Sequence, residues 1–383
     1  MKKILYLDNA ATTSLDKRVL DEVIKFSSYY GNPSSLHFKG EEAKIKIEKV
    51  RERISKFIGA EKDEIFFTSG ATEANNTIIK GLVRKNKDKN HILISSIEHP
   101  SVIESAECLK KEGFVVEKIK VDQEGIVDLN DLKSKINEKT LLVSVMHVNN
   151  EIGTIQPIEK ISHICKEKKV FFHSDMVQSF KKIDIDVRKI DLDFASFSGH
   201  KINAMKGIGF FYKRRGIEID PLINGGDQER NLRSGTENFL GIVSLGAALK
   251  IKKNKEKIRK QRDFILNEIL KMKGVILNGS LEKRIYNNIN VSFYGIEGES
   301  IVLLLSKKGI CVSTGSACSS NKLSHSHVLE AIGVKSLYLN GAIRITLDEM
   351  NEAQINYFLN SLNEIINKLR KISLFKLNEW GKK

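Results

Sequence analysis

The sequence predicts an α/β fold, in which a large unit with a mostly parallel sheet between helices precedes a smaller α+β unit. Three observations predict it. Apolar runs of strand length alternate with amphipathic segments of helix length from about residue 64 to residue 201. Those runs end repeatedly in polar, reactive side chains. Beyond about residue 239 the composition turns to lysine-rich amphipathic helix, then to a mixture of strands and helices. Alternation of this kind gives a parallel sheet covered on both faces, with right-handed crossovers. At 383 residues the chain is long enough for two cores. The expected division is a large domain over 15–255 and a small domain over 256–383, joined by the N-terminal segment 1–14.

In chain order, residues 4–13 (ILYLDNAATT) form a short apolar segment that runs into a small-residue turn. Residues 16–30 and 40–58 carry apolar positions at helical spacing, with the break Gly31-Asn32-Pro33-Ser34-Ser35 between them. Glu64 to Glu73 reads as strand, glycine turn and helix opening, and the start of such a helix suits a phosphate. Strands follow at His91–Ile97, Phe114–Val121, Leu141–Val148 and Val170–Phe172, with helices after the first three. Leu192 to Gly209 (LDFASFSGHKINAMKGIG) is an apolar run leading into Gly199-His200-Lys201. One helical region is expected over about 239–273, with the domain boundary inside it. Strands at 275–277, 289–293 and 343–347 and helices at 299–308 and 352–370 complete the reading.

Composition excludes several classes. No apolar run approaches the roughly 18 residues of a membrane span, and Asp8 interrupts the N-terminus too early for a signal peptide. Cys108, Cys165, Cys311 and Cys318 are scattered without a CxxC pair, which points to a reducing cytoplasm and away from structural zinc. The formal net charge of +15 comes from scattered lysines, with no aromatic-interleaved RNA-binding signature. A solvated basic face therefore explains the charge better than direct nucleic-acid binding.

His99, Asn150, Asp175 and His200-Lys201 all fall just after expected strands. In parallel α/β sheets the site lies at the carboxyl ends of the strands, so one pocket could collect them. A lysine in a poorly solvated pocket is a candidate amine nucleophile. Cys318, by contrast, sits in the run Ser313-Thr314-Gly315-Ser316-Ala317-Cys318-Ser319-Ser320, a loop composition that suits an exposed thiol. Taken singly, each residue has a plain structural reading: Asp175 as a turn carboxylate, His99 as a helix cap, Arg344 as an ion-pair partner on a strand edge.

Taken together, YLDNAATT, TSGATE, EH, HVNNEIG, HSDxxQS, SFSGHK, RSGTEN and TGSACSS make a specific pattern. The sequence resembles the cysteine desulfurases of the NifS/IscS type, pyridoxal-phosphate enzymes of the class V aminotransferase group with the type I fold. The resemblance implies that Lys201 holds pyridoxal 5'-phosphate and shuttles the Cα proton. It implies that Asp175 pairs with the ring nitrogen and that His99 stacks on the ring and acts as acid and base. Gln178 would bond the phenolic oxygen. Ala71, Thr72, Ser198, Gly199 and His200 would cradle the phosphate, with Thr236 reaching it from the other subunit of a homodimer. Asn150, with Asn149 as the second choice, and Arg344 would grip the carboxylate of L-cysteine. Cys318 would accept the sulfur as a persulfide, leaving alanine, and pass it to an acceptor such as an iron–sulfur scaffold or a thiolation enzyme, with which it could transiently share a cluster. A selenocysteine lyase, another class V enzyme, or a non-enzymatic basic scaffold are the alternatives. Met205, Asp227 and Asp348 depart from the family pattern, and Met205 in place of proline should loosen the loop after Lys201.

Overall fold

The computed structural model describes residues 4–314 and 325–375. The strands are β1 (Leu5–Tyr6), β2 (Ile65–Thr68), β3 (His91–Ser95), β4 (Val115–Ile119), β5 (Thr140–Ser144), β6 (Phe171–Asp175), β7 (Phe194–Ser198), β8 (Gly209–Lys213), β9 (Val275–Leu277), β10 (Asn288–Phe293), β11 (Ile310–Cys311) and β12 (Ala342–Thr346). The helices are α1 (Lys17–Phe26), α2 (Phe38–Ile58), α3 (Ala71–Lys85), α4 (Pro100–Glu107), α5 (Leu129–Lys135), α6 (Ile158–Glu167), α7 (Phe239–Ala248), α8 (Lys255–Leu270), α9 (Gly298–Lys307), α10 (His327–Ala331), α11 (Ser336–Leu339) and α12 (Glu352–Ile372).

Seven strands form the central sheet in the order β2-β8-β7-β6-β5-β3-β4. The run from β4 to β7 is parallel, and β8 lies antiparallel between β7 and β2. Strands buried on both faces read as continuous apolar runs, which is why β3, β5 and β7 were visible in the sequence. One face packs on α1, α2, α6 and α7 through Val19, Ile47, Ile161 and Leu245. The other packs on α3 and α4 through Ile78, Leu82 and Val102. A separate core joins α8, β10, α9, β12 and α12, and it takes in Leu5 and Leu7 from the N-terminus, where β1 pairs with β11. No described helix is long and apolar enough to cross a membrane.

Three boundaries differ from the sequence reading. The helical region over 239–273 is two helices, because Asn254 accepts the Lys257 N–H and starts a new one at Lys255. The ladder of β5 stops at Ser144, although the Val145 and His147 N–H groups still donate to β6 carbonyls. Strand β6 extends through Asp175 itself, so that carboxylate is fixed by a sheet rather than a turn. Strand β8 was not foreseen. Its first residue, Gly209, passes so close to Gly70 that an added Cβ would lie 2.7 Å from the Gly70 Cα.

Candidate active site

Asp175 ends β6 almost fully buried, with both carboxylate oxygens held. Asn75 Nδ2 donates to Oδ2 at 3.1 Å, and the Val177 N–H donates to Oδ1 at 3.0 Å. Asn75, a fully buried residue of α3, is the hub of the surrounding network. The same Nδ2 donates to Ser101 Oγ at 2.8 Å, and the Ser196 hydroxyl donates to Asn75 Oδ1. Ser196 also meets His173 Nε2 at 3.2 Å, and His173 Nδ1 meets the Ser144 hydroxyl at 2.8 Å. Burial pulls the His173 pKa down to about 3, so this ring is neutral and links hydroxyls on neighbouring strands.

His99 caps α4 ahead of Pro100. Its Nδ1 receives the Ser101 N–H at 3.1 Å and lies 2.8 Å from the Ser101 hydroxyl. A nitrogen that accepts an N–H carries no proton, so the ring proton sits on Nε2. Burial lowers the His99 pKa, the Asp175 charge opposes that shift, and the Lys201 and His327 charges add to it. Asp175, His99 and Lys201 thus share one electrostatic environment.

Lys201 follows β7, and its Nζ donates to the carbonyls of Ala10 at 2.6 Å and Ala11 at 2.7 Å. The N-terminal turn is held there by His200, whose carbonyl accepts from Thr13 and whose Nδ1 lies 3.1 Å from Thr12 Oγ1. Gln178 reaches the same turn, donating from Nε2 to the Ala10 carbonyl at 3.0 Å. Met205, expected to loosen the following loop, uses the N–H that proline lacks to donate to Ser244 Oγ on α7.

Ala71 and Thr72 open α3, whose first N–H groups have no partner within the helix. Space lies in front of them: an added Cβ at Gly70 would meet nothing nearer than Ser198 Oγ at 4.0 Å. Gly199 follows Ser198 in a buried turn against Ile208. Glu73 accepts the Ser69 N–H and pairs with Arg233 at 2.9 Å, which brings the 225–238 loop to the start of α3. Thr236 is exposed on that loop, beside a cavity of about 210 Å³ lined by Thr68, Ser69, Gly207 and Arg233.

Asn149 is occupied by structure: its Oδ1 accepts the Glu151 and Ile152 N–H groups and its Nδ2 donates to Ile97. Asn150 instead gives its carbonyl to Arg344 Nη1 at 3.0 Å. Arg344 also pairs with Asp8 at 2.8 Å, a partner the sequence did not single out, and its buried Nε has no partner among the described residues. Cys318 lies outside the described residues. Residues 326 and 327 are clasped to the turns that follow β5 and β3, with Ser326 Oγ donating to Glu151 Oε2 at 2.6 Å and His327 Nε2 to the Glu98 carbonyl at 3.0 Å.

A model of the class-V aminotransferases matches residues 5–357. The chain is 46% identical to the cysteine desulfurase IscS of Dictyoglomus turgidum, over 99% of this chain and 98% of the relative. Against the IscS of Methanosarcina thermophila the identity is 44%, over 97% and 94%. The chain belongs to the cysteine desulfurases of the class-V aminotransferase family. Among solved structures, this desulfurase superposes on a NifS-like protein with a TM-score of 0.90 and 40% identity, covering 96% of this chain and 100% of that one. It also resembles a protein described as SspA in complex with cysteine, with a TM-score of 0.82 and 36% identity over 91% and 99%.

Glu98, beside His99 in the desulfurase, is fully buried, and its Oε2 has no partner among the described residues. Burial raises its pKa from the ordinary 4.5 to about 8. A carboxyl whose folded pKa is raised gives stability that is full below about pH 4.5 and is lost as pH climbs toward 8. Glu98→Gln keeps an acceptor for Met146 N and the Ser95 hydroxyl while removing that loss. Denaturant unfolding at pH 5 and pH 8 is expected to show the variant gaining on the order of 1–3 kcal/mol over wild type between the two. Parallel behaviour of the two proteins would show that Glu98 is ionised.

Proposed function

We propose that this desulfurase takes sulfur from L-cysteine with pyridoxal 5'-phosphate as cofactor, and that its described residues fit that group. The observation that carries the reading is the meeting of Asp175, His99 and Lys201 at strand ends beside the open start of α3. Asp175 would hold a proton on the ring nitrogen, Lys201 would attach the cofactor, and Gln178 would meet the phenolic oxygen. Ala71, Thr72, Ser198, Gly199 and His200 would take the phosphate, with Thr236 supplied by a second copy of the chain. When bound, the cofactor supplies an electron sink for bond breaking at the substrate's Cα and Cβ.

The chain's own residues do the rest. The Lys201 amine moves the Cα proton, and His99 exchanges a proton through Nε2, its Nδ1 being fixed by Ser101. Asn150 and Arg344 orient the substrate carboxylate, for which Arg344 exchanges its pairing with Asp8. As the substrate's Cβ–S bond breaks, an S–S bond forms at the Cys318 thiolate, Cβ gains a proton, and alanine leaves. A thiol reductant or an acceptor protein, such as an iron–sulfur scaffold or a thiolation enzyme, then removes the sulfur. We assign the two cores to the domains 15–255 and 256–383 with 1–14, and place the enzyme in the cytoplasm.

Purified protein given pyridoxal phosphate, L-cysteine and a reductant is expected to form alanine and sulfide in equal amounts. Cys318→Ala is expected to lose at least about tenfold of both while still binding the cofactor. Turnover that survives in the variant would favour a lyase that expels its product directly, and absence of both products would overturn the assignment.

A further inference from the structure

Lys182 has no part in the chemistry above, yet its side chain enters the same site. Its Nζ donates to Gln178 Oε1 at 3.0 Å, one helical turn's spacing along the chain. Gln178 Nε2 in turn donates to the Ala10 carbonyl, the same oxygen that receives Lys201 Nζ. An amide side chain can ordinarily be placed either way round. Here an ammonium, which has donors only, faces one end and a carbonyl, which only accepts, faces the other. Both neighbours therefore demand the same orientation.

We propose that Lys182 is a positioning residue of the cofactor site, holding Gln178 so that its amide nitrogen, not its oxygen, faces the bound ring. The proposal rests on the reading of this pocket as a pyridoxal-phosphate site. The second N–H of Gln178 Nε2 is then the donor offered to a phenolic oxygen. Donation from a charged amine into the amide oxygen polarises the amide and strengthens that N–H as a donor. The placement of Lys182 agrees with a role at the centre of the site. Burial, followed by the charges of Lys201, Lys253 and Arg344, pulls its pKa down to about 7, with Asp348 opposing. An ammonium held among like charges is costly unless something retains it, and the Gln178 oxygen is the partner it has.

The test uses full-length protein titrated with pyridoxal phosphate below neutral pH, reading both the dissociation constant and the visible absorption maximum of the bound cofactor. Lys182→Met, which keeps the length of a half-buried side chain and is expected to fold, should weaken binding about tenfold and shift the band. Gln178→Ala should do the same. The double variant should be no worse than Gln178→Ala alone, because Lys182 acts only through Gln178. Lys182→Arg, which keeps a donor at this position, should return the band to the wild-type wavelength. A Lys182→Met protein with wild-type affinity and band would overturn the proposal, as would effects of the two substitutions that multiply. A wild-type protein that takes up no pyridoxal phosphate would overturn the cofactor reading and this proposal together, and is told apart by the wild-type titration alone.

Discussion

Exchange of Asp175 for asparagine is expected to lower alanine formation by about 10³-fold while leaving the fold intact. The two side chains have nearly the same volume, so packing at the end of β6 is unchanged. Their hydrogen bonding is not. The Val177 N–H needs an acceptor, so the new amide must turn its oxygen there. Its nitrogen then faces Asn75 Nδ2, which donated to the lost carboxylate oxygen. Asn75 cannot turn over to accommodate it, because its Oδ1 is held by Ser196 and its Nδ2 also serves Ser101. Two donors are left opposed in a buried network, where an unmade hydrogen bond costs about 1–3 kcal/mol. The disturbance passes through Ser101 to His99, whose protonated nitrogen is set by that contact. One substitution thus removes the charge expected at the ring nitrogen and loosens the acid/base. Steady-state alanine formation at saturating pyridoxal phosphate, with the melting temperature as a control, measures it. Activity within threefold of wild type would take Asp175 out of the ring-nitrogen role.

What the sequence revealed and what it hid divide along physical lines. Asp175 and Lys201 were legible because they end apolar runs, and a parallel sheet turns strand ends into a site. The family pattern supplied the rest of their roles. Strand β8 was missed because it joins β7 through a loop rather than a helix, so it falls outside the β/α alternation that reveals its neighbours. Asn75 was missed because it sits inside a helix and its partners come from β6, β7 and α4, none of them near it in sequence. In the sequence it stands with Asn76 and Thr77 just inside the start of α3, where such residues read as ordinary helix-start chemistry. Asp8 lay within a recognised motif, but its partner Arg344 is hundreds of residues away. Lys182 offered a better clue, since a residue four positions from Gln178 can meet its side chain. A lysine, however, is read as solvated until a structure shows it half-buried against a partner. The break before Lys255 was hidden for a local reason. The link 249–254 contains neither glycine nor proline, and only the cap at Asn254 marks the break.

Loss of the Arg51 guanidinium is expected to cost about 3–5 kcal/mol of stability. Arg51 on α2 pairs with Glu229 through two contacts of 2.8 and 2.7 Å, both side chains being nearly inaccessible. It also donates to the Ile65 carbonyl, and Glu229 accepts the Phe67 N–H. The pair therefore closes the polar edge of β2 as well as joining two distant segments. It has a further burden. Glu229, Arg230 and Asn231 all adopt left-handed backbone conformations, with φ of 46°, 56° and 65°. For residues with a Cβ each such conformation costs roughly 1–2 kcal/mol, so the loop keeps this path only while Glu229 is anchored. Arg51→Met fills the same space but leaves a carboxylate buried without its charge partner, and the loop is then expected to leave its strained path. Thr236 and Arg233 lie on that loop beside the start of α3, so cofactor affinity should fall along with stability. Restoring neutrality in Arg51→Met/Glu229→Gln is expected to recover about half of the lost stability, since no buried charge remains. It should not recover the affinity, because the amide cannot replace the two contacts that hold the loop. Denaturant unfolding and pyridoxal-phosphate titration of the two variants separate these effects. Recovery of both quantities together would mean that the buried charge alone, and not the anchored loop, is what Arg51 serves.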